Sequence, residues 1–163
     1  MKKRILITTG IFPPDIGGPA SYAWTLGNAL VGRGFVVEVI TYSGGKNLKL
    51  KSQNEKTQFK VSRISRKWPK GLRHLVYFFK TFSLVRKSDV VLSLNAVSAG
   101  VPSLIAAKIF KKRFFVKIVG DASWERASTK NKTHLLIDDF QKSKKVGAIG
   151  FLYRAQRWVC GKA

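Results

Sequence analysis

The sequence predicts an α/β fold, a doubly wound parallel sheet with helices on both faces, on three observations. Apolar runs of strand length alternate with amphipathic runs of helix length along most of the chain. The first strand enters a helix through a turn rich in proline and glycine, the chain path of a βα unit. Apolar residues make up 45% of the 163, enough for one domain with its own buried core.

Arg4 to Thr9 is the first strand. A helix follows from about Ala20 to Arg33, expected to bury Tyr22, Leu26, Ala29 and Leu30, with Gly34 ending it as a left-handed cap. Val36 to Tyr42 reads as the second strand. Ser43 to Gln58 is polar and lysine-rich, offers a core almost nothing, and is expected to be a mobile surface loop. Phe59 to Ser65 is the third strand, its alternation setting Lys60 and Ser62 opposite Phe59 and Val61. The second helix is expected over about Leu72 to Lys87, where Leu72, Leu75, Val76, Phe79 and Phe82 recur at helical spacing and should face the core. Asp89 to Leu94 is the fourth strand, about Val101 to Phe110 a helix, and Phe114 to Val119 the fifth strand. Short helical pieces and a last helix, about Gly147 to Cys160, complete the chain.

Thirty-one lysines and arginines stand against eight acidic residues, a formal net charge of +23. Such an excess concerns partners and solubility, not fold. It admits nucleic acid, anionic lipid headgroups or phosphorylated substrates, and equally a basic surface with no specific target. Cys160 is the only cysteine, which excludes an internal disulfide and suits a reducing, cytoplasmic compartment. With only His74 and His134 beside it, no metal-ligand spacing occurs and no metal is expected. Met1 to Arg4 followed by Ile5 to Phe12 imitates the start of a signal peptide. Pro13, Pro14 and Asp15 interrupt that run, however, and no small-residue cleavage site follows. The longest apolar run, Ala96 to Ala107, is too short to span a bilayer and contains Gly100 and Pro102. The chain is therefore expected to be soluble or peripheral on the inner face of a membrane.

Gly10 to Pro19 is the most informative segment. Pro13 and Pro14 stiffen the turn, while Gly17 and Gly18 let a ligand approach the backbone. Pro19 suits the first helical turn, whose N–H groups and positive dipole end favour an anion such as a phosphate. The segment is neither GxGxxG nor a P-loop, because no Gly-Lys-Ser/Thr follows. On spacing alone a plain tight βα turn fits equally well, with Asp15 bracing it by an Asx-type hydrogen bond.

The residues FPPDIGGPASY from Phe12 to Tyr22, then Leu26, Leu30, Gly32-Arg33-Gly34 and VVEVIT, together with VKIVGDASWERA from Val116 to Ala127, resemble the N-terminal domain of family 4 glycosyltransferases. These enzymes have the GT-B architecture, two Rossmann-like domains facing across a cleft. The resemblance covers essentially the whole chain. It implies retaining transfer of a hexose from a nucleotide-sugar to a glycan or lipid-linked acceptor, with no metal or other cofactor bound. The family's second domain, with its Glu-x7-Glu pair and most donor contacts, has no counterpart here, since the three glutamates are Glu38, Glu55 and Glu125. The chain is thus expected to be the first half of an enzyme, inactive alone.

By the same resemblance, Gly17 and Gly18 lie against the donor's diphosphate or sugar, where backbone donors stabilise the charge gained by the leaving group. Asp121 follows the fifth strand at its carboxyl end, where open α/β sheets bind ligands. Gly120-Asp121 stands where many members of the family carry a donor-contacting histidine. Asp121 could orient a sugar hydroxyl or the acceptor nucleophile, or cap the short helix that follows. Trp124 and Glu125 are candidates for the acceptor side, or for aromatic packing and an ion pair with Arg126. Asn95 and Ser98, after the fourth strand, fall on the cleft edge by topology.

A different class of function remains open: a non-catalytic basic module that docks on anionic lipid or on a partner protein. On the second helix Arg73, Lys80 and Lys87 share a stripe flanked by Tyr77 and Leu84, a pattern suited to a membrane interface or to a solvated face. Upstream, Lys46 to Arg73 carries ten basic residues against the single acid Glu55. Nucleic acid is disfavoured, because no recognisable module with stacking platforms is present.

Overall fold

Parallel strands joined by helices need crossovers, and this chain supplies them in turn: β1 (Arg4–Thr8), α1 (Gly18–Gly32), β2 (Val36–Ser43), β3 (Lys60–Ser65), α2 (Lys70–Arg86), β4 (Val90–Ser93), α3 (Gly100–Ile109), β5 (Arg113–Val116), α4 (Ala122–Thr129), α5 (Ile137–Lys142) and α6 (Gly147–Cys160). The computed structural model describes residues 2–43 and 58–163. The lysine-rich loop expected between β2 and β3 lies almost wholly outside them. The five strands form one parallel sheet in the order β3-β2-β1-β4-β5. This is the doubly wound, Rossmann-like arrangement the sequence predicts.

Period-two alternation sends neighbouring residues to opposite faces. Ile7, Val37 and Val39 join Phe12, Ala23, Phe59 and Leu94 on the face covered by α1. Leu6, Ile40, Tyr42 and Val91 join Tyr77, Leu84, Val85 and Ala106 on the face covered by α2 and α3. The last helix, α6, completes a smaller cluster through Val159 with Ala96 and Leu104.

Gly34 closes α1 at φ +84°, with its N–H donating to Val31 O at 2.8 Å, as a left-handed cap should. The buried face of α1 differs from expectation. Tyr22 and Ala29 are exposed and Leu26 and Leu30 half-buried, while Ala20, Ala23 and Gly27 meet the sheet. Small residues win because a large one, Phe59, already fills the gap. A Cβ on Gly27 would lie 2.6 Å from that ring. Gly27→Val is therefore expected to destabilise the protein by about 1–3 kcal/mol through overpacking, read as a lower midpoint in denaturant.

The second helix is turned further from expectation. Tyr77, Thr81, Leu84 and Val85 are its buried residues, and Leu72, Leu75 and Phe79 are exposed. Tyr77 fixes the rotation. Its ring stacks on Tyr42 at 4.3 Å, and its hydroxyl donates to the carbonyls of Thr9 (3.4 Å) and Ile40 (3.5 Å). A tyrosine here buries its ring while its hydroxyl finds partners in strand-end carbonyls. Of the stripe proposed for a membrane surface, Lys80 and Lys87 are exposed and Arg73 is half-buried. Tyr77 and Leu84 belong to the core and cannot touch a membrane.

Candidate functional site

In an open parallel sheet, ligands bind beyond the carboxyl ends of the strands where the strand order reverses. Here that point lies between β1, followed by α1 on one face, and β4, followed by α3 on the other. The two strand ends are tied together: Leu94 N–H donates to Thr8 O at 2.9 Å, and the buried Ser103 hydroxyl donates to Thr8 Oγ1 at 2.9 Å. The loops after them touch, since a Cβ on Gly10 would meet Ser98 Oγ at 3.5 Å.

The loop from Gly10 to Gly17 is anchored at both ends and includes a cis Pro13–Pro14 bond. Phe12 is fully buried, edge-on to Phe59. From β3 and the turn after it, Arg63 donates to Pro13 O and Arg66 to Gly10 O, each at 2.8 Å. Arg66 also pairs with Asp15 at 3.3 Å, so Asp15 braces the turn through an arginine and not through its own backbone. The two glycines separate cleanly. Gly17 adopts φ 154°, ψ 155°, a region effectively reserved for glycine, and a Cβ there would meet Ile11 Cδ1 at 2.7 Å. Around Gly18 an added Cβ meets nothing within 4 Å. Gly17 shapes the turn, and Gly18 leaves open space at the start of α1. Pro19 has no N–H and Ala20 N–H already donates to Gly17 O, so the helix end offers few donors, the Gly18 amide among them.

After β4, Asn95 and Ser98 reach the site together. Asn95 Oδ1 accepts from Val97 N–H, Ser98 N–H and the Ser98 hydroxyl at 2.8–3.1 Å, an arrangement that holds the loop. After β5, Asp121 is buried as the N-cap of α4. Its Oδ1 accepts from Ser123 N–H (2.9 Å), Trp124 N–H (3.1 Å) and the Ser123 hydroxyl, and its Oδ2 from Gln141 (3.4 Å). Burial pushes the carboxyl up, but these hydrogen bonds outweigh it and hold its pKa below the ordinary 3.8. It is a carboxylate committed to capping. It lines a hollow of 560 Å³ with Asp138, Gln141, Tyr153 and Gln156, next to the switch-point hollow and not within it.

A depressed folded pKa means stability gained above the ordinary carboxylate value and lost as pH falls through the lower, folded one. Asp121→Ala is therefore expected to cost about 0.5–2 kcal/mol at neutral pH. The gap to wild type should narrow on acidification below pH 3.8, a trend that melting curves across pH would check.

Two adjoining hollows form a trough at the switch point. One, of 240 Å³, is lined by Pro19, Asn95, Lys117, Gly120, Glu125 and Gln156 among others. The other, of 550 Å³, shares Asn95, Ala122 and Glu125 and adds Lys70, Ser98 and Arg126. Glu125 lies at the rim, where a Cβ on Gly120 would collide with its carboxylate. Trp124 turns away, its indole N–H donating to Leu135 O at 3.0 Å, and does not line the trough. Sequence reasoning missed Lys117, whose ammonium sits 3.4 Å from the centre of the Tyr22 ring, and Gln156, which accepts from Ala122 N–H at 3.0 Å. The end of β5 could have flagged Lys117, whereas nothing local points to Gln156 on a distant helix. A larger hollow of 810 Å³, lined by Lys2, Lys3, Arg4, Lys87, Asp89 and Arg113, opens at the opposite end of the strands, away from these loops.

Among the described residues no group of three His, Cys, Asp or Glu is placed to hold a metal, and no helix is long and apolar enough to cross a membrane.

No family model and no curated protein matches this sequence. Solved structures match at the level of fold. A structure assigned as a UDP-N-acetylglucosamine 2-epimerase from Listeria monocytogenes aligns with 98% of this chain and 38% of its own, at 12% identity and a TM-score of 0.55. The C-terminal domain of a hydrogenase from Pyrococcus furiosus aligns with 72% of this chain and 93% of its own, at 13% identity and a TM-score of 0.49, too loose to bear on function. At these identities the shared property is the Rossmann-like α/β sheet.

Proposed function

We propose that this chain is the acceptor-side domain of a retaining glycosyltransferase of the family 4 type, moving a hexose from a nucleotide-sugar to a glycan or lipid-linked acceptor. The observation that carries the reading is the trough at the switch point, lined at the start of α1 by Pro19, whose chain neighbour Gly18 is unobstructed. The likeness of Phe12 to Tyr22 and of Val116 to Ala127 to the family's motifs adds the chemistry. The fold-level likeness to a protein assigned to nucleotide-sugar chemistry agrees with it.

In this reading the bond from the anomeric carbon to the diphosphate breaks and its electron pair leaves with the nucleoside diphosphate. The Gly18 amide and the Lys117 ammonium then oppose the growing negative charge from fixed positions. Glu125, at the rim, accepts a hydrogen bond from the acceptor hydroxyl, whose oxygen bonds to the anomeric carbon as its proton passes to a phosphate oxygen of the leaving group. Retention requires the leaving group to be held on the face that the hydroxyl enters, so a nucleotide-binding domain must close over the trough. Asp121 contributes by holding α4, and Glu125 with it, at the edge of the trough.

The test is release of nucleoside diphosphate by the protein made from its complete gene, across UDP-, GDP- and ADP-sugars with glycan and lipid-linked acceptors. Acceptor-dependent release from at least one donor is expected. No release from any of them overturns the reading, and sugar transfer by the 163-residue chain alone overturns the need for a second domain.

A further inference from the structure

A solvated helix face is polar, but the outward face of α2 is not. Leu72, Leu75 and Phe79 are 50%, 56% and 67% exposed, and at 3.6 residues per turn they share an arc of about 60°. Trp68, just ahead of the helix, is 45% exposed. Phe79 meets Phe78 edge-on at 5.7 Å, and Phe78 lies 4.6 Å from Phe82, so the strip is backed by aromatic rings. Around it stand Lys67, Lys70, Lys80, Arg86 and Lys87, all exposed, and none forms an ion pair among the described residues. No acidic residue occurs between Glu55 and Asp89.

We propose that this face seats on an anionic lipid bilayer. Trp68, Leu72, Leu75 and Phe79 enter the boundary between headgroups and acyl chains, and the five cations lie among the lipid phosphates. An apolar strip within a wholly cationic rim is the pattern of helices that lie in a membrane surface. A protein partner fits less well, because interface cores are poor in lysine and a complementary partner would need a continuous acidic rim. The buried Tyr77 and Leu84 take no part, so the docking face is the one opposite the core and not the stripe that contains them. The proposal stands apart from glycosyl transfer. Should both hold, Lys70 joins the two, lying within the rim and also lining the trough beside Asn95 and Glu125. A lipid-anchored acceptor would then rise from the bilayer directly at the site.

Flotation with vesicles tests this. Wild type should float with phosphatidylglycerol–phosphatidylcholine vesicles, progressively less as salt rises, and not with phosphatidylcholine alone. Leu75→Ser/Phe79→Ser should weaken flotation at least tenfold with its melting curve unchanged, and Lys80→Ser/Lys87→Ser should shift the salt dependence. Absence of flotation at low salt overturns the proposal, and so does flotation indifferent to the serine pair at 75 and 79, which would be adhesion by charge alone. A dimer in sedimentation that the same pair dissociates overturns it in favour of a second copy. Tighter binding to single-stranded RNA than to vesicles at equal phosphate, lost in that pair, overturns it in favour of nucleic acid. Neither flotation result bears on nucleoside diphosphate release, so the two readings fail separately.

Discussion

Gly18→Val is expected to lower sugar transfer by the complete protein roughly 10²–10³-fold, the loss typical when a developing anion is kept from one fixed donor. An added Cβ meets no neighbour within 4 Å, so the side chain takes no space that the fold uses and, on the proposed reading, fills the space that the leaving diphosphate needs. Gly17→Val is a poor substitute. Its backbone sits at φ +154° and its Cβ would strike Ile11, so the loop itself must reorganise, at a cost on the order of 1–3 kcal/mol. One complication has a remedy. A residue with a Cβ ahead of proline resists helical geometry, and Gly18 precedes Pro19. The double variant Gly18→Val/Pro19→Ala relieves that clash while keeping the obstruction, and it should remain as inactive as the single one. Normal turnover by either variant would remove Gly18 from the site and with it the carrying observation for glycosyl transfer.

What the sequence shows of this molecule is what depends on neighbours a few residues apart. The succession of strands and helices along the chain follows from the alternation of periods, Gly34 ends α1 because a left-handed cap needs only local geometry, and the bounds of α6 are those expected. The capping alternative for Asp121 was likewise local, since the amides it accepts are two and three residues on. The rest depends on long-range contacts. Arg63 and Arg66 reach back 50 and 56 residues to hold the glycine turn, and Gln156 reaches 34 to meet Ala122. No spacing rule encodes such pairs. The rotation of α1 is hidden for the same reason: the space its small residues fill is set by Phe59, which stands just ahead of β3 and beyond the whole of β2.

The rotation of α2 gives the other large effect. Its apolar residues surround the axis almost completely, so periodicity alone offers two buried faces, and the hydroxyl of Tyr77 argues superficially for the wrong one. If Tyr77 is the anchor, Tyr77→Ala leaves a cavity against Tyr42 and should cost about 3–5 kcal/mol. For a chain of this length that is roughly 6–20 °C in melting temperature. Phe79→Ser, despite removing an equally large ring from the sequence-expected core face, should change stability by no more than about 0.5 kcal/mol. Alkaline titration gives an independent check. Burial above all, and the neighbouring Tyr42 after it, raises the Tyr77 hydroxyl well above its ordinary 10.0, and burial raises Tyr42 likewise. The protonated pair therefore stabilises the fold below pH 10 and withdraws that support as pH rises towards the folded values. Tyr77→Phe should blunt the alkaline loss at little cost near neutrality, because the hydroxyl contacts it gives up are long ones, at 3.4 and 3.5 Å. Comparable losses from Tyr77→Ala and Phe79→Ser, or a greater loss from the latter, would mean that α2 is seated the other way round. The exposed strip proposed to meet the bilayer would then be core.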